Sequence, residues 1–310
     1  MSAAPVLPVS RTPRRTGRRL NSPWEALPFV LPGAILFAVF VLWPMIQGLR
    51  VAFYHWSIMP GAEQEFVGLA NFRRAFHDPV VWRATLNTLL YVLITVPGQM
   101  ALGMLAALGL NAAIRARAFW RALFYLPVLT SWVVVSFIFR YLFNGGGAPV
   151  NYLLKDVLHL IPNYVDWLQH WGTAQVPIML LGIWKGVGWN MVMFLAGLQS
   201  IPRELYEAAA IDGATRSQNF WNVTWPLMRP VVLYVLVLLT IGGFGVFISV
   251  NLLTQGGPMD QTQVILSYLY DQGFKYFDFG YGFAIAILLS LVILTFNLLQ
   301  MKFFGSKVEQ

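Results

Sequence analysis

Residues 231–253 read VVLYVLVLLTIGGFGVFISVNLL and contain no Asp, Glu, Lys or Arg. A helix needs roughly 20 mainly apolar residues to cross about 30 Å of hydrocarbon, so this stretch is long enough to span a membrane. Its glycines do not argue against a spanning helix, because neighbouring helices and water satisfy the backbone groups that such residues leave free. The segment predicts a helical membrane protein.

Five further stretches of the chain have the same character. Four also lack charged residues, and the remaining one contains only Lys185. Strands of a membrane barrel would alternate in runs of about ten residues, and the sequence has no such runs. It therefore predicts an all-α membrane protein with six transmembrane helices. The predicted spans are residues 27–49, 86–114, 122–139, 176–201, 231–253 and 279–301.

The composition of the whole chain agrees with this prediction. Of its 310 residues, 57% are hydrophobic and 11% are charged, whereas a soluble domain usually carries about 25% charged residues. This composition excludes a cytosolic enzyme, a disordered chain and a disulfide scaffold. Cysteine is absent, so a thiolate metal site or a cysteine nucleophile is excluded as well.

The basic residues are divided unequally between the two sides that six spans define. With the N-terminus inside, the cytoplasmic segments carry thirteen Lys or Arg and the outer segments carry seven. Cytoplasmic loops are enriched in these residues, so cytoplasmic tails are predicted at 1–26 and 304–310, around a membrane domain at 27–303. The basic run at 11–19 is interpreted as this topology signal and not as a nucleic-acid arm. A cleaved signal peptide is disfavoured because the first span is too long.

A polar segment, residues 202–230, separates the fourth span from the fifth. Pro202 favours a helix start, and Glu204 places a negative charge in its first turn. Gly213 allows the left-handed geometry that commonly ends a helix. A short exposed helix with alanines on one side suits insertion into a groove of another protein. An ordinary amphipathic loop at the membrane surface is the alternative.

A second helix is predicted directly after this turn. Thr215 and Gln218 have the spacing of a capping box, and the helix would run towards a break at Trp225-Pro226. Together the two helices form a predicted helix–turn–helix elbow on the cytoplasmic face.

The residues of this elbow follow a recognisable spacing. Glu207-Ala208-Ala209 is followed after three residues by Gly213, and after nine more by Val223-Thr224-Trp225-Pro226. The arrangement resembles the EAA loop of ABC importer permeases, in which E-A-A, three residues, G and nine residues precede I-x-L-P. Val223 stands in place of Ile and Trp225 in place of Leu.

The resemblance extends over nearly the whole chain. It is closest to carbohydrate permeases of the maltose type (MalF-like), the permease subunits of binding-protein-dependent ABC sugar importers. The expected architecture is therefore a type I ABC importer permease with a cytoplasmic EAA coupling helix. The other segments that carry the resemblance are residues 68–72, 87–88, 198–202, 253–258 and 280–282.

The resemblance implies specific partners for the chain. The elbow would be a coupling helix that docks into a cleft of a separate ATP-hydrolysing subunit. Two such ABC ATPase subunits, a second homologous permease and an extracytoplasmic solute-binding protein would complete the importer in the cell membrane. The implied coupling residues are Glu204, Glu207, Ala208, Ala209, Asp212 and Gly213.

The chain itself is not expected to hydrolyse ATP. A P-loop needs Gly-Lys-Ser/Thr, and none of the five lysines follows a glycine. ATP and Mg²⁺ would therefore be bound by the partner subunits, and no cofactor by this chain. The four histidines show no metal-ligand spacing, so no metal site is expected.

Lys185 is the charged residue that lies inside a predicted span. Charged residues within a bilayer usually face the bundle interior or a cavity, and Trp189 lies one helical turn further on the same face. An aromatic ring stacks on a sugar face, and an ammonium donates hydrogen bonds to hydroxyls. The alternative is a lysine that snorkels to the interface. The resemblance implies a substrate pathway at Lys185, Gly186, Trp189, Gly243 and Val246.

The predicted function is import of a carbohydrate, either a mono- or an oligosaccharide. Import of a polyol or glycerol phosphate is the alternative within transport, because Lys185 leaves the charge of the ligand open. An ion-driven secondary transporter would be expected to carry intramembrane acids, and the six spans contain no Asp or Glu. A membrane-embedded enzyme would need convergent catalytic groups, which the spans also lack.

Overall fold

The computed structural model describes residues 23–57, 64–112 and 115–305. The described chain divides into two units, one that ends at Gly48 and one that begins at Leu49. Of the predicted tails, residues 1–22 and 306–310 lie outside the described residues. Within the described part, five helices are long and apolar enough to cross a membrane, or six if one bent pair forms a single span. The all-α membrane fold is confirmed.

The first span lies at the N-terminal end of the described chain. It begins with α1 (Pro23–Phe37), continues through the π-helical segment Ala38–Leu42, and ends in α2 (Trp43–Val51). The candidate span within it is Leu27–Val51, which agrees with the predicted range 27–49.

The unit Leu49–Gln310 contains the remaining spans and a short hairpin. Its strands and α-helices are β1 (Tyr54–His55), β2 (Glu65–Phe66), α3 (Ala70–His77), α4 (Pro79–Asn111), α5 (Arg117–Leu129), α6 (Trp132–Leu142), α7 (Pro149–Tyr152), α8 (Trp171–Gln199), α9 (Arg203–Ile211), α10 (Arg216–Asn219), α11 (Trp225–Phe244), α12 (Ile248–Leu253), α13 (Ile265–Tyr270) and α14 (Phe279–Gln300). The strands pair antiparallel. Short π or 3₁₀ segments are Leu153–Val157, Trp167–Gln169, Phe220–Thr224, Asp271–Lys275 and Met301–Gly305.

The two longest of these helices, α4 and α8, are in close contact through glycines. A Cβ atom on Gly103 of α4 would lie 2.5 Å from Cβ of Asn190, and one on Gly186 of α8 would lie 1.6 Å from Oε1 of Gln99. Small residues let helix backbones approach closely inside a membrane, where association depends on packing and not on exclusion of water. The α4–α8 pair therefore forms the centre of the bundle.

The third predicted span is broken. The sequence predicted one helix over residues 122–139, whereas α5 and α6 meet at an angle of 91°. The chain is extended at the two connecting residues, Thr130 and Ser131, with ψ of 148° and 135°. Hydropathy alone does not detect this break, because both halves are apolar.

The second span begins earlier than predicted. Helix α4 starts at Pro79, and the carboxylate of Asp78 accepts a hydrogen bond from the Val80 N–H at 2.8 Å as its N-cap. The second span was predicted to begin after Arg83 because that residue is charged. The prediction therefore missed the first turns of α4, which contain Arg83. At the other end α4 stops at Asn111, and residues 113–114 of the predicted span lie outside the described residues.

The fifth span differs from its prediction at both ends. The predicted break at Trp225-Pro226 is wrong, because the chain remains helical through the π-helical segment Phe220–Thr224 into α11. Such a π-turn changes the hydrogen-bonding register just before a proline that has no N–H to donate. The predicted continuous helix to residue 253 is interrupted after Phe244, and α12 follows separately. At the last span the helical chain reaches Gly305, slightly beyond the predicted boundary at 303.

Asp78 also connects α4 to the last part of the bundle. Its carboxylate accepts hydrogen bonds from the hydroxyls of Tyr281, at 2.6 Å, and Tyr268, at 2.7 Å. Burial raises the pKa of the Asp78 carboxyl, but these hydrogen bonds and those from the backbone N–H groups outweigh burial and hold the pKa below its usual value. The carboxylate therefore stays charged and links the start of α4 to α13 and α14.

Candidate functional site

A cavity of about 590 Å³ lies among the spanning helices. Helices α4, α8 and α11 supply most of its lining, and α5, α6, α12, α13 and the segment between α11 and α12 supply the rest. The lining residues are Tyr91, Gln99, Val128, Trp132, Gly182, Lys185, Gly186, Trp189, Leu238, Leu239, Gly242, Gly243, Gly245, Val246, Phe247, Ile248, Ser249 and Leu266.

All five residues predicted for the substrate pathway line this cavity. Lys185, Gly186 and Trp189 follow one another along α8. Gly243 is near the end of α11, and Val246 lies in the break before α12. The structure thus brings together two stretches that are more than fifty positions apart in the sequence.

The ammonium of Lys185 is directed at the break between α5 and α6. It donates to the carbonyl oxygens of Thr130, at 2.6 Å, and Pro127, at 2.9 Å, and lies 3.4 Å from Thr130 Oγ1. It also stands 5.0 Å from the ring centroid of Trp132. The residue is only 5% exposed. The ammonium is therefore hydrogen-bonded within the helical bundle.

Two neutral polar residues of the cavity were missed in the sequence. Gln99 lies in the middle of α4, and its Oε1 is 3.4 Å from Nδ2 of Asn190. Ser249 in α12 is 1% exposed, and its Oγ has no hydrogen-bond partner within the described structure. Both residues lie inside apolar spans. A search of the predicted spans for uncharged polar residues, and not only for charged ones, would have identified them.

Aromatic rings form a second part of the lining. Trp132 and Trp189 face the cavity from α6 and α8, and Phe247 faces it from the break after α11. The Phe247 ring stands 5.0 Å from that of Tyr270. A mainly apolar wall with a few convergent polar groups is the usual composition of a site for a small molecule.

The glycines of α11 do not all have the same role. A Cβ on Gly242 would meet no atom within 4 Å, so this glycine leaves open space. A Cβ on Gly243 would lie 3.0 Å from Cγ2 of Val92. Gly243 therefore permits close contact between α11 and α4, in addition to lining the cavity.

The predicted elbow is present as two short helices, α9 and α10, joined by a tight turn. Gly213 has φ of +78°, the left-handed conformation that glycine adopts without a steric penalty. The N–H of Gly213 donates to Ala210 O at 3.1 Å, and that of Ala214 donates to Ala209 O at 2.9 Å. These two bonds form a Schellman motif, which satisfies the last carbonyls of α9.

The second helix begins with the predicted capping box. The Gln218 N–H donates to Thr215 Oγ1 at 3.3 Å, and the Thr215 N–H donates to Gln218 Oε1 at 2.8 Å. A further contact joins α9 to the π-helical segment that precedes α11, since the hydroxyls of Tyr206 and Thr224 lie 3.0 Å apart. The elbow is thus connected to the start of α11.

The residues predicted for coupling lie on one short, accessible segment. Ala209 is half-buried, and the other five are exposed. Ile211, at the end of α9, is 87% exposed and was not among the residues predicted for coupling. The sequence does not show that an isoleucine next to a polar motif is exposed, because its exposure depends on how the helix packs in the structure.

The spans, the intramembrane cavity and the accessible elbow define the class of this molecule. It is a polytopic α-helical membrane permease. Residues 99–308 match the family described as "Binding-protein-dependent transport system inner membrane component", and the chain belongs to that family. This is a family of transport permeases and not of enzymes, and its members are multi-pass components of the inner membrane.

Named relatives cover nearly the whole chain. The arabinooligosaccharides transport system permease protein AraP of Bacillus subtilis is 36% identical over 97% of this chain and 96% of its own length. The multiple sugar-binding transport system permease protein MsmF of Streptococcus mutans is 34% identical over 91% of this chain and 96% of its own.

A solved structure has the same fold. A chain of a bacterial alginate ABC transporter, in complex with an alginate pentasaccharide-bound periplasmic protein, is 25% identical with a TM-score of 0.80. The alignment covers 93% of this chain and 96% of that one. The similarity agrees with the type I ABC importer permease fold that the sequence predicted.

Proposed function

We propose that this chain is the permease subunit of an ATP-driven importer and translocates a carbohydrate delivered by a solute-binding protein. The cavity is the observation that carries the proposal. Its lining includes two tryptophans, Trp132 and Trp189, and the polar residues Gln99 and Ser249. Rings can stack on the apolar faces of sugars, and amides and hydroxyls can bind sugar hydroxyls. Permeases named for sugar transport are among the relatives.

The elbow is proposed to couple the cavity to ATP hydrolysis in separate subunits. Its exposed alanines permit close approach to a partner surface, and Glu207 is available to anchor to a cation there. The Tyr206–Thr224 contact would transmit a displacement of α9 to α11, which lines the cavity. The proposal requires two ATPase subunits, a second homologous permease, and both termini in the cytoplasm.

Co-purification and reconstitution test this function together. The tagged chain is extracted gently, co-purifying chains are identified by mass, and the complex is placed in proteoliposomes with its binding protein. We expect a P-loop ATPase and a second permease to co-purify, and ATP-dependent uptake of a labelled oligosaccharide. A chain that purified alone and transported without ATP would contradict the proposal.

Two variants of the elbow test the coupling role. Gly213→Pro cannot adopt φ of +78°, and Glu207→Lys reverses the proposed anchor. Each is expected to leave membrane insertion intact and to lower uptake at least about tenfold. Glu65→Lys, an exposed charge reversal in β2, is the matched control and should retain uptake. Undiminished transport in both elbow variants would rule out the coupling role.

A further inference from the structure

The net charge of the transported molecule can be inferred from the hydrogen bonds of one lysine. We infer that the cavity selects an uncharged saccharide, because Lys185 is a positioning residue whose ammonium is bound to the break between α5 and α6. The inference rests on the proposed function, since it assumes that the cavity carries the transported carbohydrate.

The lining of the cavity has a single charged side chain among the described residues. Lys185 is that side chain, and the lining contains no Asp, Glu, Arg or His. The other polar lining side chains, those of Tyr91, Gln99, Ser249 and the two tryptophans, are neutral. Whether the cavity can bind an anion therefore depends on whether the Lys185 ammonium is available.

The ammonium makes two short hydrogen bonds and one longer contact within the protein. A lysine ammonium has three N–H donors and no acceptor, and three oxygen atoms of Pro127 and Thr130 surround it within 3.4 Å. Neither Pro127 nor Thr130 belongs to the lining. The hydrogen bonds of the ammonium are thus all made to residues outside the lining.

The connection between α5 and α6 is stabilised by the positive charge of Lys185. Helix α5 ends at Leu129, and the last carbonyls of a helix have no partner within the helix and carry the negative end of its dipole. Inside a membrane each unsatisfied carbonyl is costly. Lys185 satisfies that of Thr130, and it is a charged donor to that of Pro127, which also accepts from Thr130 Oγ1. The positive charge of the lysine and the negative end of the α5 dipole therefore compensate each other. Neither group then requires a charged partner from a substrate.

The polar groups that remain suit hydroxyls better than carboxylates. The Gln99 amide both donates and accepts, and the Ser249 hydroxyl does the same without a partner in the described part of the protein. A sugar hydroxyl also donates and accepts, so it can use all of these groups. A carboxylate would enter the cavity without a charged partner, and its desolvation would go largely uncompensated.

A matched pair of sugars tests the inference. A neutral glucose trisaccharide is compared with the same trisaccharide carrying one carboxylate at C6, by equilibrium dialysis against the purified permease–ATPase complex. The binding protein is omitted, so that its own selectivity does not contribute. We expect the neutral trisaccharide to bind at least about tenfold more tightly.

Variants distinguish a positioning role for Lys185 from a ligand role. In Lys185→Arg, which keeps a cation and several donors, and in Lys185→Met, the ratio of neutral to acidic affinity is expected to change less than about twofold. Ser249→Ala is expected to weaken the neutral sugar about threefold to tenfold. Ser290→Ala is the control and should not change affinity, because the exposed Ser290 hydroxyl donates to Ala286 O of its own helix and is not a lining residue.

The outcomes separate the inference from the function on which it rests. Tighter binding of the acidic sugar, with that preference lost in Lys185→Met, would overturn the inference and leave the carbohydrate function standing. Absence of binding by both sugars and by every neutral oligosaccharide in a wider series would overturn the carbohydrate function, and the inference with it.

Discussion

Helix α4 and the α5–α6 pair both contain a proline, but only one of them is broken. Helix α4 passes through Pro97 and stays helical from Pro79 to Asn111. Helix α5 ends two residues after Pro127, and the chain turns by 91° into α6. Proline removes one backbone donor in either case, so the proline alone does not determine where a span breaks.

The difference lies in what surrounds each proline. At the end of α5 the Pro127 carbonyl accepts from Thr130 Oγ1 at 2.6 Å and from Lys185 Nζ at 2.9 Å. The neighbouring helix thus provides a charged donor where the helix stops. A spanning helix can end within the bilayer where side chains of the same bundle satisfy its last carbonyls.

The largest effect is expected where α5 touches α8. A Cβ on Gly188 would lie 2.1 Å from the backbone oxygen of Phe124, and backbone cannot rotate away as a side chain can. Gly188→Ala should therefore separate the two helices and destabilise the protein by about 3 kcal/mol, seen as a lower thermal midpoint of the purified protein. Gly172→Ala, with no atom within 4 Å of the added Cβ, is the control. Equal midpoints for the two variants would contradict this account of the helix contact.

Removal of the lysine should have the next largest effect. Lys185→Met leaves the carbonyls of Pro127 and Thr130 without their charged donor, and we expect a loss of about 2 kcal/mol. Thermal unfolding in detergent measures it. Lys185→Arg should retain part of the stability. A Met variant as stable as the parent would mean that the break does not depend on the lysine.

A smaller effect is expected at the hydroxyl of Thr130. Thr130→Val keeps the size of the side chain and removes the Oγ1 that donates to Pro127 O. The expected loss is about 1 kcal/mol, measured in the same unfolding assay. Thr295→Val, where the hydroxyl bonds to Leu291 O on an exposed part of α14, should change stability less. A larger loss of stability for Thr295→Val than for Thr130→Val would indicate that the Thr130 hydroxyl does not stabilise the break.

The smallest effect is expected from Pro127 itself. Pro127→Ala keeps the carbonyl that Lys185 binds, so the break should persist and stability should change by less than about 1 kcal/mol. The chain has no cysteine, so spin labels can be attached at Phe119→Cys and Tyr141→Cys without other changes. The distance between the labels should be the same with proline and with alanine at this position. A longer distance after the substitution would show that the proline produces the bend.

Much of the candidate site could be predicted, because its signals are local. Lys185 is conspicuous as a charge within a span, and the turn at Gly213 follows from the conformations open to glycine. The capping box at Thr215 needs only a spacing of three residues. Gln99 and Ser249 were missed because a neutral polar residue in a span becomes notable only when the cavity it faces is known.

The spanning segments and the elbow could be predicted from the sequence, because hydropathy, turn chemistry and motif spacing depend on residues that are near one another in the chain. The break in the third span and the orientation of Lys185 depend on atoms 55 to 58 positions apart. Sequence patterns predicted Lys185 beside a cavity, and Lys185 is among the lining residues, with its ammonium hydrogen-bonded to the end of α5. The hydrogen-bond partners of the ammonium are determined by the packing of α8 against the end of α5. A buried ammonium binds whichever oxygens the fold places within reach.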